Sequence, residues 1–162
     1  MNHRSAILLG TALLFLALAS VQPVHASGGN GMTWAKIDHQ TSLGTDRVGC
    51  AGCDAYDGET ACTTALPILC LRTSSAPNPG LSTDFYNGWT GGHIAITPPV
   101  QGNLLSGPQD GDYLCRVYHG QGYQMAEFHA GGGGWNWYAY GNISDSQRFW
   151  VYINDTSGNC WN

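Results

Sequence analysis

The chain has 162 residues, with 6 Lys or Arg against 11 Asp or Glu, for a formal net charge of −5. No basic stripe runs along it, which argues against nucleic acid as a partner. No segment after the N-terminal apolar run is long enough to span a bilayer.

Met1–Ala26 reads as a signal peptide. Arg4 supplies a positive n-region, Ala6–Ala19 is an uncharged h-region of 14 residues, and Val24-His25-Ala26 offers small residues for cleavage. Cleavage there leaves 136 residues with the basic side chains Lys36, Arg47, Arg72, Arg116 and Arg148 and all 11 acids, for a formal charge of −6. That length suits one domain with a core of its own. The expectation is a secreted or periplasmic single domain over 27–162. Residues 27–82 form its cystine-rich part and residues 83–162 its aromatic, glycine-rich sheet part.

In chain order, Ser27–Gly31 reads as a flexible start and Met32–Ile37 as a first strand anchored by Trp34. His39–Gly49 is polar and reads as a loop. Cys50, Cys53, Cys62 and Cys70 follow within 21 residues, and Cys115 and Cys160 complete the six. An even count in an exported chain predicts three disulfides, whose pairing among 15 possibilities the spacing leaves open. Four cysteines so close together predict a knotted, compact lobe. A zinc site from the first four is the rival reading, although their spacing is not that of a zinc ribbon. A redox Cys-x-x-Cys would need a strand-to-helix setting that the sequence lacks. Asp54, Asp57 and Glu59 cluster around Gly58 as a conceivable calcium loop, against the alternative of a solvated turn.

Ala65–Arg72 reads as a buried strand through Leu66, Ile68, Leu69 and Leu71. Thr73–Ser82 is a Pro/Ser/Asn-rich loop. Phe85–Gly92 reads as an aromatic and glycine turn, and His93–Thr97 as a short strand stopped by Pro98-Pro99. Asp110–His119 is the one helix candidate, with Leu114, Val117 and Tyr118 on one face and Cys115 beside it. Asp110 and Asp112 favour its start, and Gly120 ends it. No internal repeat stands out.

Tyr123–Asn142 carries the densest signal. Alternation over Tyr123–His129 puts Tyr123, Met125, Glu127 and His129 on one face and Gln124, Ala126 and Phe128 on the other. Over Trp135–Tyr140, Trp135, Trp137 and Ala139 share one face, and Asn136, Tyr138 and Tyr140 the other. A third strand follows at Arg148–Asn154, with Phe149, Val151 and Ile153 toward the core and Trp150 and Tyr152 opposite. Gly131–Gly134 favours no regular element, so it is either a mobile loop or a place where a ligand or another backbone comes close. These elements predict an α+β, β-dominated fold: a small antiparallel sheet with one short helix, stapled by disulfides.

A short cysteine-bearing helix (DGDYLCRVYH), then glycines, then YQMAEFH, resembles the opening of a C-type-lectin-like domain, and the late Cys160 in GNCW resembles that fold's terminal cysteine. The resemblance covers about 104–161 and implies a Cys115–Cys160 bridge from helix to last strand. No Glu-Pro-Asn or Gln-Pro-Asp occurs, and Asn154-Asp155 follows isoleucine where that family's motif has tryptophan. Calcium-dependent sugar binding is therefore not implied. The cystine segment and the ending RFWVYINDTSGNCW also resemble small exported bacterial proteins of unassigned role.

No Gly-x-Ser-x-Gly, His-Glu-x-x-His or phosphate loop is present. Glu127 and His129 on one strand face offer an acid–base or metal-binding pair, for which His93 and His119 are the candidate third members, and Asp145 or Asp155 would have to supply a glycosidase's second carboxylate. The bland alternative pairs Glu127 with Arg116 or Arg148. Low charge with abundant Gly, Trp and Tyr resembles the composition of exported sugar-binding and structural β domains. Trp135 and Trp137 beside the glycine run suggest a stacking platform for a sugar ring, with Asn136, Tyr140, Asn154 and Asp155 to bond hydroxyls, unless these indoles are core anchors. The leading expectation is non-catalytic binding of carbohydrate or a cell-surface glycan, with no cofactor. The alternatives are an adhesive surface module without a small ligand and a hydrolase using Glu127 and His129. Asn142-Ile143-Ser144 and Asn154-Asp155-Thr156 match the glycosylation acceptor pattern.

Overall fold

A computed structural model describes residues 29–162. The signal-peptide expectation lies outside the described residues. Among the described residues no helix is long and apolar enough to cross a membrane.

Among the described residues the fold is α+β and β-dominated, with one short α-helix and three disulfides. The strands are β1 (Asn30–Gly31), β2 (Thr33–Gln40), β3 (Thr45–Gly49), β4 (Thr60–Ala61), β5 (Ala65–Leu66), β6 (Leu69–Thr73), β7 (Asn87–Ile96) and β8 (Val100–Gln101). Helix α1 (Pro108–His119) precedes β9 (Gln124–Met125), β10 (Asn136–Tyr140) and β11 (Phe149–Trp150). Seven strands form one sheet in the order β11-β2-β3-β10-β7-β6-β9, and β1/β4 and β5/β8 are separate antiparallel pairs. Within the large sheet only β10 and β7 run parallel.

The sheet bends back on itself. The Trp150 N–H donates to Pro67 O at 2.8 Å, the Phe128 N–H to Tyr152 O at 2.9 Å and the Tyr152 N–H to Ala126 O at 3.1 Å. These bonds tie β11 and the residues after it to the chain flanking β6 and β9, which closes the sheet into a barrel. Alternation then decides what is enclosed. Trp34, Val48, Leu69, Leu71, Ile94, Trp137, Ala139, Phe149, Val151 and Ile153 belong to one buried cluster. Their neighbours Ile68, Cys70, Met125 and Trp150 belong to a second cluster with Leu105, Cys62, Cys115 and Cys160. The opposed faces expected for β10 and for 148–154 are therefore as read. The face carrying Trp150 is nevertheless buried too, because α1 and two cystines cover it.

Several expectations need correction. Asn30–Gly31 is not a loose start, since it pairs with Thr60 and Ala61. The polar segment after His39 contains β3, whose Asp46 is fully buried but not unpaired. Asp46 Oδ1 lies 3.0 Å from Lys36 Nζ and 2.7 Å from His39 Nδ1, and its Oδ2 accepts the Ile143 N–H at 2.7 Å. Phe85–Gly92 is mostly strand, because Gly88 and Gly92 allow β7 to run against neighbouring backbone: a Cβ on Gly88 would come within 2.0 Å of Gly131 O. The strand expected over Tyr123–His129 is regular only at β9, and 126–128 follow as isolated pairings. On α1 the buried residues are Gly111 and Cys115, whereas Val117 and Tyr118 are exposed. Only glycine fits at 111, where a Cβ would meet Met125 Sδ at 2.4 Å.

The cystines pair Cys50–Cys53, Cys62–Cys160 and Cys70–Cys115. The Cys115–Cys160 bridge implied by the lectin-like resemblance is not formed. Cys115 faces β6 across the helix, and Cys160 packs over Gly31 and Gly102, where an added Cβ would touch its sulfur at 2.4 and 2.5 Å. The knotted four-cysteine lobe is likewise replaced, because only Cys50–Cys53 is local. With all six sulfurs in cystines, the zinc reading loses its ligands.

Candidate functional site

Strong local rules place three aromatic rings around one cleft. Asp54 Oδ1 accepts the N–H groups of Tyr56 at 2.9 Å and Asp57 at 3.1 Å. This turn presents Tyr56 to solvent at 64% exposure. Asp84 Oδ1 does the same for the N–H groups of Tyr86 at 2.7 Å and Asn87 at 2.8 Å, presenting Phe85 at 67% exposure. Side-chain carboxylates that accept backbone N–H groups in this way favour turns. The same bonds stabilise the charged form. The backbone N–H groups of Asp57 and Tyr56 hold the Asp54 carboxyl below its ordinary value, and the Tyr86 N–H and Asn87 amide do so for Asp84.

The glycine run brings the third ring. Gly133 lies so close to Phe85 that a Cβ there would fall 1.9 Å from Phe85 O, and the Gly134 N–H donates to that oxygen at 3.2 Å. The run is therefore a place of close backbone approach, one of the two alternatives read from the sequence. It ends at Trp135, which holds a left-handed φ of 71°. A bulky residue there is uncommon and strained. Neighbouring bonds fix it: the Cys50 N–H donates to Trp135 O at 2.9 Å and the Asn136 N–H to Gly134 O at 3.0 Å.

Tyr56, Phe85 and Trp135 line a cleft of about 190 Å³ with Phe128, Ile153, His129, Asp155 and Thr156. Phe128 and Ile153 belong to the core cluster, so the cleft opens at the end of the barrel. Phe128 stands edge-on to Trp34 at 5.3 Å and to Trp135 at 5.4 Å, and Trp34 lies 5.5 Å from Trp137. The polar side carries His129, Asp155 and Thr156. Glu127 Oε1 lies 2.9 Å from His129 Nδ1, and Asp155 Oδ2 lies 3.8 Å from His129 Nε2. The expected Glu127 pairing with Arg116 or Arg148 is thus corrected. Arg148 instead bonds Thr33 Oγ1 at 2.6 Å and Cys50 O at 2.8 Å, with Glu59 3.5 Å away.

Of the expected ligand-binding residues, Trp135 and Asp155 line this cleft and Asn154 borders a neighbouring one. Trp137 is fully buried and is a core anchor, so the two indoles do not form one platform. Asn136 lies over Gly49, where a Cβ would meet its Oδ1 at 1.9 Å. Tyr140 stacks edge-on with Trp89 at 5.1 Å and lies beside His93. Two of the three carboxylates of the calcium-loop reading are engaged by the protein: Asp54 by its turn, and Glu59 by Thr33, Thr60 and the Asp54 N–H. No group of three or more His, Cys, Asp or Glu side chains that could hold a metal ion occurs among the described residues.

Tyr56 and Phe85 were not among the sequence candidates, yet a signal exists for the turns that carry them, though not for which ring of each turn faces the cleft. DAYDG at 54–58 and DFYNG at 84–88 share the pattern Asp-x-Tyr-Asp/Asn-Gly. Both form the same carboxylate-centred turn. Comparison with known proteins finds no matching family model, no matching curated protein and no matching solved structure.

Proposed function

We propose that the protein is an exported, non-catalytic carbohydrate-binding domain whose ligand lies between Tyr56, Phe85 and Trp135. One observation carries this reading. Three solvent-facing rings from three separate chain segments converge on one cleft, with a carboxylate and an imidazole at its edge. Exposed apolar rings gathered in one patch mark an interaction surface. Aromatic faces suit the CH faces of a sugar, while the Asp155 carboxylate accepts from hydroxyls. The cleft is smaller than the roughly 300–1,000 Å³ of enclosed small-molecule sites. An open groove of this size suits a ring held on one face.

The test is a printed glycan array followed by titration of the best binder against Trp135→Gly and Phe85→Ala. Glycine relieves the left-handed backbone at 135, so folding is preserved while the ring is lost. A tenfold or greater loss of affinity with an intact melting curve is expected. Unchanged binding in both variants refutes the site.

A second reading has one observation behind it. Glu127 holds His129 through Nδ1, leaving Nε2 toward the cleft and Asp155, an orientation suited to a general base. It predicts slow hydrolysis of a bound glycan that Glu127→Gln reduces, and a chemically unaltered ligand after prolonged incubation counts against it.

A further inference from the structure

We propose that the ligand is an oligosaccharide that runs from the aromatic cleft over the Asn154–Thr156 turn into a second subsite built by Tyr152, Asn154, Trp161 and Asn162. This rests on the carbohydrate reading and deepens it.

The second subsite is a depression of about 200 Å³, and it shares Ile153 and Thr156 with the first. A single turn of chain therefore separates the two. Each is too small for an enclosed small-molecule pocket, and together they enter the usual range of a few hundred Å³. The chemistry repeats with a change of polar groups. An indole and a phenol supply apolar faces. The exposed carboxamides of Asn154 and Asn162 both donate and accept, so they match sugar hydroxyls in either role. Burial, then the charges of Glu127 and Asp112, push the Tyr152 phenol up from its ordinary value, which keeps it a neutral donor.

The ridge between the subsites is rigid. The Asn159 side chain accepts from the Ile153 N–H at 3.0 Å and donates to Ile153 O at 2.9 Å. The Thr156 hydroxyl donates to Ala55 O, and the Asn162 amide to Thr156 O at 3.2 Å. Cys160, one residue after Asn159, is tied to Cys62. A surface already held in place loses less freedom when a ligand docks.

The experiment uses an array carrying homologous series from one to six sugar units, then titrates the best series into wild type, Trp161→Ala, Asn154→Ala and Trp135→Gly. Wild-type affinity should rise at least tenfold between one and three units. Trp161→Ala and Asn154→Ala should abolish that rise while leaving the single-unit affinity within twofold, and Trp135→Gly should weaken every length. Asn154 is exposed, so its variant keeps the test valid if Trp161→Ala perturbs folding. An affinity independent of length, or a rise that survives both variants, overturns the second subsite and leaves the first. Absence of binding across the whole array removes the carbohydrate reading and the subsite with it.

Discussion

The Cys62–Cys160 bridge gives a prediction whose size follows from topology. It spans 98 positions of sequence, but the Cys70–Cys115 bridge short-circuits the loop inside it. With that inner bridge intact, Cys62–Cys160 closes a path of about 55 residues, and loop-closure entropy then corresponds to about 4 kcal/mol. The packing of Cys160 against Gly31 and Gly102 adds to this, because a smaller side chain leaves a void there. The perturbation is the double variant Cys62→Ala/Cys160→Ala, which leaves no unpaired thiol to exchange. For a domain of this size a loss of about 4 kcal/mol lowers the melting temperature by roughly 10–15 °C. The assay is thermal and urea unfolding under oxidising conditions, with each single variant alongside. Cys62→Ala and Cys160→Ala should each cost nearly what the double variant costs, since either one breaks the same bond. Near-additive single effects, or a Cys160→Ala loss matched by Cys115→Ala with no further loss when those two are combined, would show a different pairing and refute the reasoning.

Asp46→Ala should cost about 3–5 kcal/mol in urea unfolding, because it leaves the Lys36 ammonium facing buried backbone without its counter-charge. A loss under 1 kcal/mol would mean that the cluster opens to water at no cost. Gly88→Ala and Gly133→Ala should each destabilise by at least about 2 kcal/mol, since the obstructing atoms are backbone carbonyls that cannot turn aside. Gly132→Ala meets open space and should cost only about 1 kcal/mol through its left-handed φ; equal losses at all three would contradict the close-approach argument. The Asp54 and Asp84 carboxyls sit below the ordinary value of 3.8 when folded. Their contribution is present above that value and is lost as pH falls through the lowered ones. Tyr152 sits above 10.0, so its contribution is present below pH 10 and is lost as pH rises through the raised value. Melting curves against pH should show a small acid limb that flattens in Asp54→Asn/Asp84→Asn and an alkaline limb that changes in Tyr152→Phe. Limbs identical to wild type would remove these groups from the account.

Period-two alternation was legible where one side chain set enters the barrel. The split of Trp137 and Ala139 from Tyr138 and Tyr140 onto opposite faces follows from the sequence, which left open the side that faces inward, and Phe149, Val151 and Ile153 were legible as the core face. It failed where burial depends on partners distant in sequence. β3 looks like loop because Asp46 and Arg47 are charged, and partners outside β3, Lys36 and His39 of β2 and the Ile143 N–H, make Asp46 tolerable inside. β7 looks like turn because its glycines are read as breakers, while Gly88 admits the backbone of Gly131 and Gly92 that of Arg72. The helix face was misread because a cystine and Met125 select small residues, and the pattern of large apolar positions points the wrong way. Sulfur pairing depends on which strands become neighbours, and local spacing carries none of that information.

The site follows the same division. Trp135 and Trp137 lie two positions apart on one face, and sequence gives no reason to separate them. The barrel separates them by depth. Trp137 fills the interior beside Trp34, and Trp135 stands at the rim, turned by its left-handed backbone and supported by Phe128. The row Trp137, Trp34, Phe128, Trp135 thus runs from core to cleft through ring contacts of 5.3–5.5 Å. Edge contacts of this kind contribute about 0.5–1.5 kcal/mol each beyond area burial. The buried end of the row stabilises the fold and restrains the ring at its open end. Strain is retained at Trp135 because the strand register, the glycine run and the Cys50 amide all over-determine it. A strained, half-exposed tryptophan restrained by that many independent contacts is the physical reason to test this rim first for the proposed ligand.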